Sequence, residues 1–112
     1  MTGAAGFVGC SVVEQLLNGH YGVRGCSRQK NVRIPNNAEF YTTDDMSEST
    51  DWHQALQNVD VVIHAAARVH VMKDSSTDPL AKFRNVNTAG TLNLARQAAD
   101  ASIKRFIFIS SV

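Results

Sequence analysis

Apolar positions along this chain switch between two periods. Phe7, Val8, Val12, Val13, Leu16 and Leu17 recur at helical spacing and predict a helix over 7–18. Gly19 follows and is the expected C-terminal cap. Residues 21–27 read as a short strand, weakened by Gly22 and Gly25. Residues 29–37 are polar, with Pro35 and the pair Asn36-Asn37, and predict a loop. A short strand is expected at 39–42 and a short helix at 51–56, with Thr50 or Asp51 as its cap. Residues 59–67 give the clearest strand. Its run Val61-Val62-Ile63 is what a strand buried on both faces requires. Asp78-Pro79 predicts a helix start, with Asp as N-cap and Pro at the first helical position. That helix should reach about residue 101, with Leu80, Phe83, Val86, Leu92, Leu94, Ala95 and Ala98 on its buried side. Residues 105–109, Arg-Phe-Ile-Phe-Ile, form a second strongly apolar strand.

Strands alternating with helices imply right-handed crossovers and a parallel α/β sheet with helices on both faces. In that setting the stretch Thr2-Gly3-Ala4-Ala5-Gly6-Phe7-Val8-Gly9 acquires a meaning. A glycine-rich turn feeding a helix grips a pyrophosphate with backbone alone. Gly3 permits the turn, Gly6 lets the main chain approach the phosphates, and Gly9 lets the helix pack closely. Phe7 and Val8 offer backbone N–H groups at the positive end of the helix dipole. The expectation is a dinucleotide site. A glycine triplet without the strand and helix around it could equally be a turn that binds nothing.

Composition narrows the alternatives. The chain has 112 residues, enough for one domain at most, with 44% apolar and 19% charged residues. A net charge of +1 and no basic stripe give no case for nucleic acid. No apolar run approaches the roughly 18 residues of a membrane span, and no signal peptide is evident. Cys10 and Cys26 lack CxxC spacing, which suggests a reducing cytoplasm and no structural metal. His20, His53, His64 and His70 show no metal spacing either. Only Met1 stands before Thr2, and the chain stops straight after a strand-like run. Both ends read as cut. The expectation is a truncated doubly wound domain over 1–112, lacking its first strand and its C-terminal part.

Four motifs carry a resemblance. Residues 2–9 resemble the TGxxGFxG fingerprint of the extended short-chain dehydrogenase/reductase family. His64-Ala65-Ala66-Ala67 resembles its HxAA element, and Asn87-Thr88-Ala89-Gly90-Thr91 its NVxGT helix motif. Phe106-Ile107-Phe108-Ile109-Ser110-Ser111 resembles the strand ending in its catalytic Ser/Thr. The pattern is most similar to bacterial nucleotide-sugar epimerases and dehydratases, particularly the UDP-glucose 4-epimerase group. The resemblance implies a Rossmann-type fold, bound NAD or NADP, a UDP-sugar substrate and a homodimeric parent enzyme.

The resemblance also assigns roles. Gly3, Gly6, Phe7, Val8 and Gly9 would hold the pyrophosphate. The end of the second strand would select the cofactor, normally through an acid on the adenine ribose. Here that position is Ser27, followed by Arg28, which can pair with a 2′-phosphate. This tilts the reading toward NADP, with NAD open if Arg28 is only a solvated loop residue. Asp45 would accept from the adenine amino group, although Asp44 stands where the family has glycine. Ala65, Ala66 and Ala67 would make room for a cofactor ribose. Asn87 would support the active-site strand or a bound water, or else bond only its own helix. His64 reads as a hydrogen-bonded structural residue. Ser111 would hydrogen-bond the sugar oxygen undergoing hydride transfer.

The family's acid–base pair is YxxxK. Tyr21 is followed four on by Gly25 and Tyr41 by Asp45, so the pair should lie beyond Val112 and these residues alone should be inactive. A dehydratase or 4-keto-reductase would share every residue named above. A non-catalytic dinucleotide sensor is the alternative from another class, favoured by the missing YxxxK and disfavoured by Ser111. A structural remnant that binds nothing is a third, against which the intact glycine turn argues.

Overall fold

The computed structural model describes residues 1–28, 37–43, 46–66 and 85–109. Among these residues four short parallel strands carry the fold: β1 (Arg24–Ser27), β2 (Glu39–Thr42), β3 (Val61–His64) and β4 (Arg105–Phe108). β1 pairs with β2 and β3 with β4, in registers Cys26↔Tyr41 and Ile63↔Ile107. The chain start joins the two pairs. Thr2 forms parallel bridges to both Cys26 and His64. Its N–H donates to the Ile63 carbonyl at 3.0 Å, and the Met1 carbonyl accepts from the Cys26 N–H at 2.8 Å. The order is therefore β2-β1-(Met1, Thr2)-β3-β4, the doubly wound arrangement. Met1 and Thr2 stand where the first strand was expected to be missing.

Among the described residues two helices lie in the crossovers. α1 (Phe7–Asn18) ends at Gly19, but the left-handed residue is His20, with φ 64°. The Tyr21 N–H reaches the Leu16 carbonyl and the His20 N–H the Leu17 carbonyl, a Schellman closure one residue later than glycine would favour. α2 (Gly90–Asp100) closes the same way, through Ser102 at φ 59°. Ahead of α2 the chain makes a π-turn (Asn85–Ala89), where an uninterrupted α-helix was expected. The expected start at Asp78-Pro79 lies outside the described residues.

The predicted helix at 51–56 is instead a run of turns. Side chains tie the backbone at both ends of the run. The Asp51 carboxylate accepts from the His53 N–H at 2.9 Å, and Gln97 Oε1 accepts from the Trp52 N–H at 2.7 Å. At the other end the Arg24 guanidinium donates to the Ala55 and Gln57 carbonyls, at 2.8 Å each. Arg24 also pairs with Glu39, directly opposite it in the register, at 2.9 Å.

Two apolar clusters line the sheet. Ala4, Val13 and Val23 pack under α1. Cys26, Met46, Trp52, Ala55, Leu56, Val62, Leu94 and Ala98 form the larger cluster, beneath α2 and the turns. Burial alternates along β3: Val62 and His64 are buried, whereas Val61 is 42% exposed. The expected burial on both faces therefore holds for one face only. Val61, Ile107 and Phe40 lie opposite the larger cluster and keep exposed surface.

Candidate functional site

The strand order reverses at Thr2, between β1 and β3. In open parallel sheets ligands settle beyond the carboxyl ends of the strands at such a switch point. The glycine turn emerges there. Gly3 has φ 66°, and a Cβ on it would stand 2.7 Å from the Ala66 nitrogen. A Cβ on Gly9 would lie 1.8 Å from the Gly3 carbonyl oxygen. Both positions exclude any side chain. Gly9 thus packs the helix against the turn itself rather than against a neighbouring strand. Gly6 differs: its φ is −75°, and a Cβ there would meet only the Gly3 oxygen, at 3.3 Å. What Gly6 keeps open is the outer side of the turn.

The start of α1 is bare. No side chain caps it and no acid stands in its first turn. Phe7 is 95% exposed and Val8 half exposed. Helix N–H groups left without partners attract an anion, and among the described residues no side chain competes for them. The residues present fit a pyrophosphate.

Behind the turn lies a buried polar knot. Thr2 Oγ1 accepts from the Ala65 and Ala66 N–H groups, at 3.2 Å each. With both lone pairs engaged, its single proton must go to His64 Nδ1, 2.6 Å away. Nδ1 is then bare, so Nε2 carries the proton and donates to Thr91 Oγ1 at 2.9 Å. The ring is fully buried, stacked on Phe108, and burial holds its pKa down to about 4. His64 is thus a neutral strut between the glycine turn, the end of β3 and the first turn of α2. Sequence reading expected a structural histidine but not the partners.

The other candidates fall as follows. Ser27 ends β1 half buried, its carbonyl accepting from the Thr43 N–H at 2.9 Å, and Arg28 follows it, exposed. Ala65 and Ala66 lie half buried beside the glycine turn. Asn87 sits half buried in the π-turn. Asp45, Ala67 and Ser111 lie outside the described residues. The structure therefore brings together Gly3, Gly6, Phe7, Val8, Gly9, Ala65 and Ala66, and sets Ser27 on the strand paired to the same central segment.

Beyond the end of β2 a cleft of about 500 Å³ is lined by Tyr41, Thr43, Ser47, Thr50, Asp51 and Gln54, among others. Sequence reading did not anticipate it. Among the described residues no three His, Cys, Asp or Glu side chains could hold a metal. No helix there is long and apolar enough to cross a membrane.

Comparison with known proteins agrees with this fold. A UDP-glucose 4-epimerase of Vibrio cholerae is 45% identical over 113 residues, covering all of this chain and 34% of its own length. The crystal structure of UDP-glucose 4-epimerase with UDP-glucose from Thermotoga maritima superposes with a TM-score of 0.79 at 30% identity, over 98% of this chain and 36% of that one. MoeE5 in complex with UDP-glucose and NAD gives 0.77 at 27%, over 98% and 35%. The chain thus spans about a third of the length of these relatives. The profile of the NAD dependent epimerase/dehydratase family matches residues 1–112, and the chain belongs to that family.

Proposed function

We propose that these residues are the NAD(P)-binding portion of a nucleotide-sugar 4-epimerase-like enzyme that acts by transient hydride transfer at C4 of a UDP-sugar. The observation that carries this reading is the uncapped helix start behind Gly3, Gly6 and Gly9, at the point where the strand order reverses. The epimerases among the relatives support the substrate class. A bound nicotinamide would supply the hydride acceptor and donor. The chain's own residues orient and bind. The backbone of Gly6, Phe7 and Val8 receives the pyrophosphate, and Gly3 and Gly9 hold that backbone in place. Ser27 and Arg28 read the adenine ribose, with Arg28 favouring a 2′-phosphate. Asp45 takes the adenine amino group, while Ala65, Ala66 and Ala67 leave room for a ribose. Asn87 supports the neighbouring strand. Ser111 hydrogen-bonds the reacting sugar oxygen. The parent enzyme is a cytoplasmic homodimer in this reading.

Calorimetry on the full-length protein tests it, with NAD, NADP and a panel of UDP-sugars. Arg28→Ala should weaken NADP about tenfold, the loss expected for one charge-assisted contact, and leave NAD within twofold. An unchanged NADP affinity removes Arg28 from phosphate recognition. Binding of neither dinucleotide by the unmutated protein sinks the whole reading.

A further inference from the structure

Residues 46–60, after β2, form turns rather than a helix or strand, yet two amides on α2 hold this segment at three points. Asn93 Nδ2 donates to the carbonyls of Ser47, at 3.1 Å, and Thr50, at 2.8 Å. Gln97 Nε2 donates to the Thr50 carbonyl at 2.7 Å and to Asn93 Oδ1 at 2.8 Å. Gln97 Oε1 accepts from the Trp52 N–H at 2.7 Å. All four amide protons are engaged, and both amide oxygens accept. Neither group can flip without setting an oxygen against a carbonyl. The pair stands one helical turn apart, on the stripe beside the buried Leu94 and Ala98.

The clipped segment lies across one cleft from the end of β2, beside the proposed site. Met46, at the head of the clipped loop, is buried in the larger core cluster. Three residues earlier the Thr43 N–H donates to the Ser27 carbonyl, and Thr42 is paired with Ser27 across β1 and β2. The clipped segment also forms one wall of the cleft at the carboxyl end of β2. We propose that Asn93 and Gln97 are positioning residues for the adenosine end of the dinucleotide site. They hold residues 47–52 in their binding shape beforehand, so that ordering this wall of the cleft does not weigh against cofactor binding. This rests on the dinucleotide reading above.

The test uses the full-length protein with Asn93→Ala, Gln97→Met and the double change. Gln97→Met keeps the side-chain stem over the core and removes only the amide, so it should fold where the double change does not. The affinities of NAD, NADP and free UDP are measured well below each variant's melting temperature, with kcat at saturating cofactor. Dinucleotide Kd should rise about fivefold to tenfold in each single variant, the effect of losing one or two net hydrogen bonds. UDP affinity and saturated kcat should stay within twofold. An unchanged dinucleotide Kd overturns the proposal, and so does an equal loss of UDP affinity, which would mark a general loosening. If the unmutated protein binds UDP but neither dinucleotide, the reading beneath the proposal falls with it.

Discussion

His64 has no charge to offer at neutral pH, and that is its use. A protonated ring would lose the acceptor that Thr2 needs. Its pKa is about 4 in the folded chain, against 6.5 for an exposed imidazole, because burial disfavours the charged form. Between those values the unfolded chain binds a proton that the folded chain refuses. The contribution of His64 to stability is therefore complete above about pH 6.5 and is lost as pH falls toward 4. The full span amounts to ~3 kcal/mol. Urea unfolding at pH 7.5 and 4.5, for the unmutated protein and His64→Asn, isolates this one group. The unmutated protein should lose more stability on acidification than the variant does. Equal losses would show that the ring is not held neutral. Sequence could suggest a structural histidine, since one buried at a strand end needs partners. It could not name Thr2 and Thr91, which stand 62 and 27 residues away and meet it only through strand pairing and the docking of α2.

At the scale of elements, the strands and both helices were legible because each carries its own periodicity. The turns at 51–56 were misread because the periodicity there was real but outvoted. Trp52, Ala55 and Leu56 are spaced as a helix face and do bury together. Their backbone is nonetheless tied by Asp51, Gln97 and Arg24, two of them remote in sequence. The π-turn before α2 had no signal in the residue pattern at all. Trp52 shows what the turns contribute. It is 2% exposed, and its indole N–H has no partner among the described residues. Removing that N–H therefore breaks no hydrogen bond among the described residues. Trp52→Phe should cost about 1 kcal/mol, from lost volume alone, while Trp52→Ala should cost roughly 3–5 kcal/mol. Guanidinium denaturation of both variants decides the point. A Phe variant as unstable as the Ala variant would mean that the indole N–H is satisfied after all.

For the whole molecule the decisive contact is the narrowest. Among the described residues, Met1 and Thr2 join the two two-stranded sheets. The glycine fingerprint announced a dinucleotide turn, and strand alternation announced the parallel sheet around it. Neither signal could show that Thr2 pairs with both Cys26 and His64, because pairing depends on register and not on local pattern. The Thr2 hydroxyl adds what its backbone cannot, binding the glycine turn to the end of β3 and, through His64, to α2. Thr2→Val keeps the shape and the backbone bridges but strips that hydroxyl. Two amide N–H groups and the imidazole Nδ1 then lose their partner in a half-buried to buried setting, at a cost of about 2–4 kcal/mol. Thr2→Ser restores the oxygen and should recover most of it. Hydrogen exchange gives the reading specific to the whole molecule. If the Thr2 knot couples the halves, amides of β1 and of β3 should lose protection together in Thr2→Val. Loss confined to β3 would show that the backbone bridges alone hold β1 to the sheet, and that the hydroxyl serves only the strand end it touches.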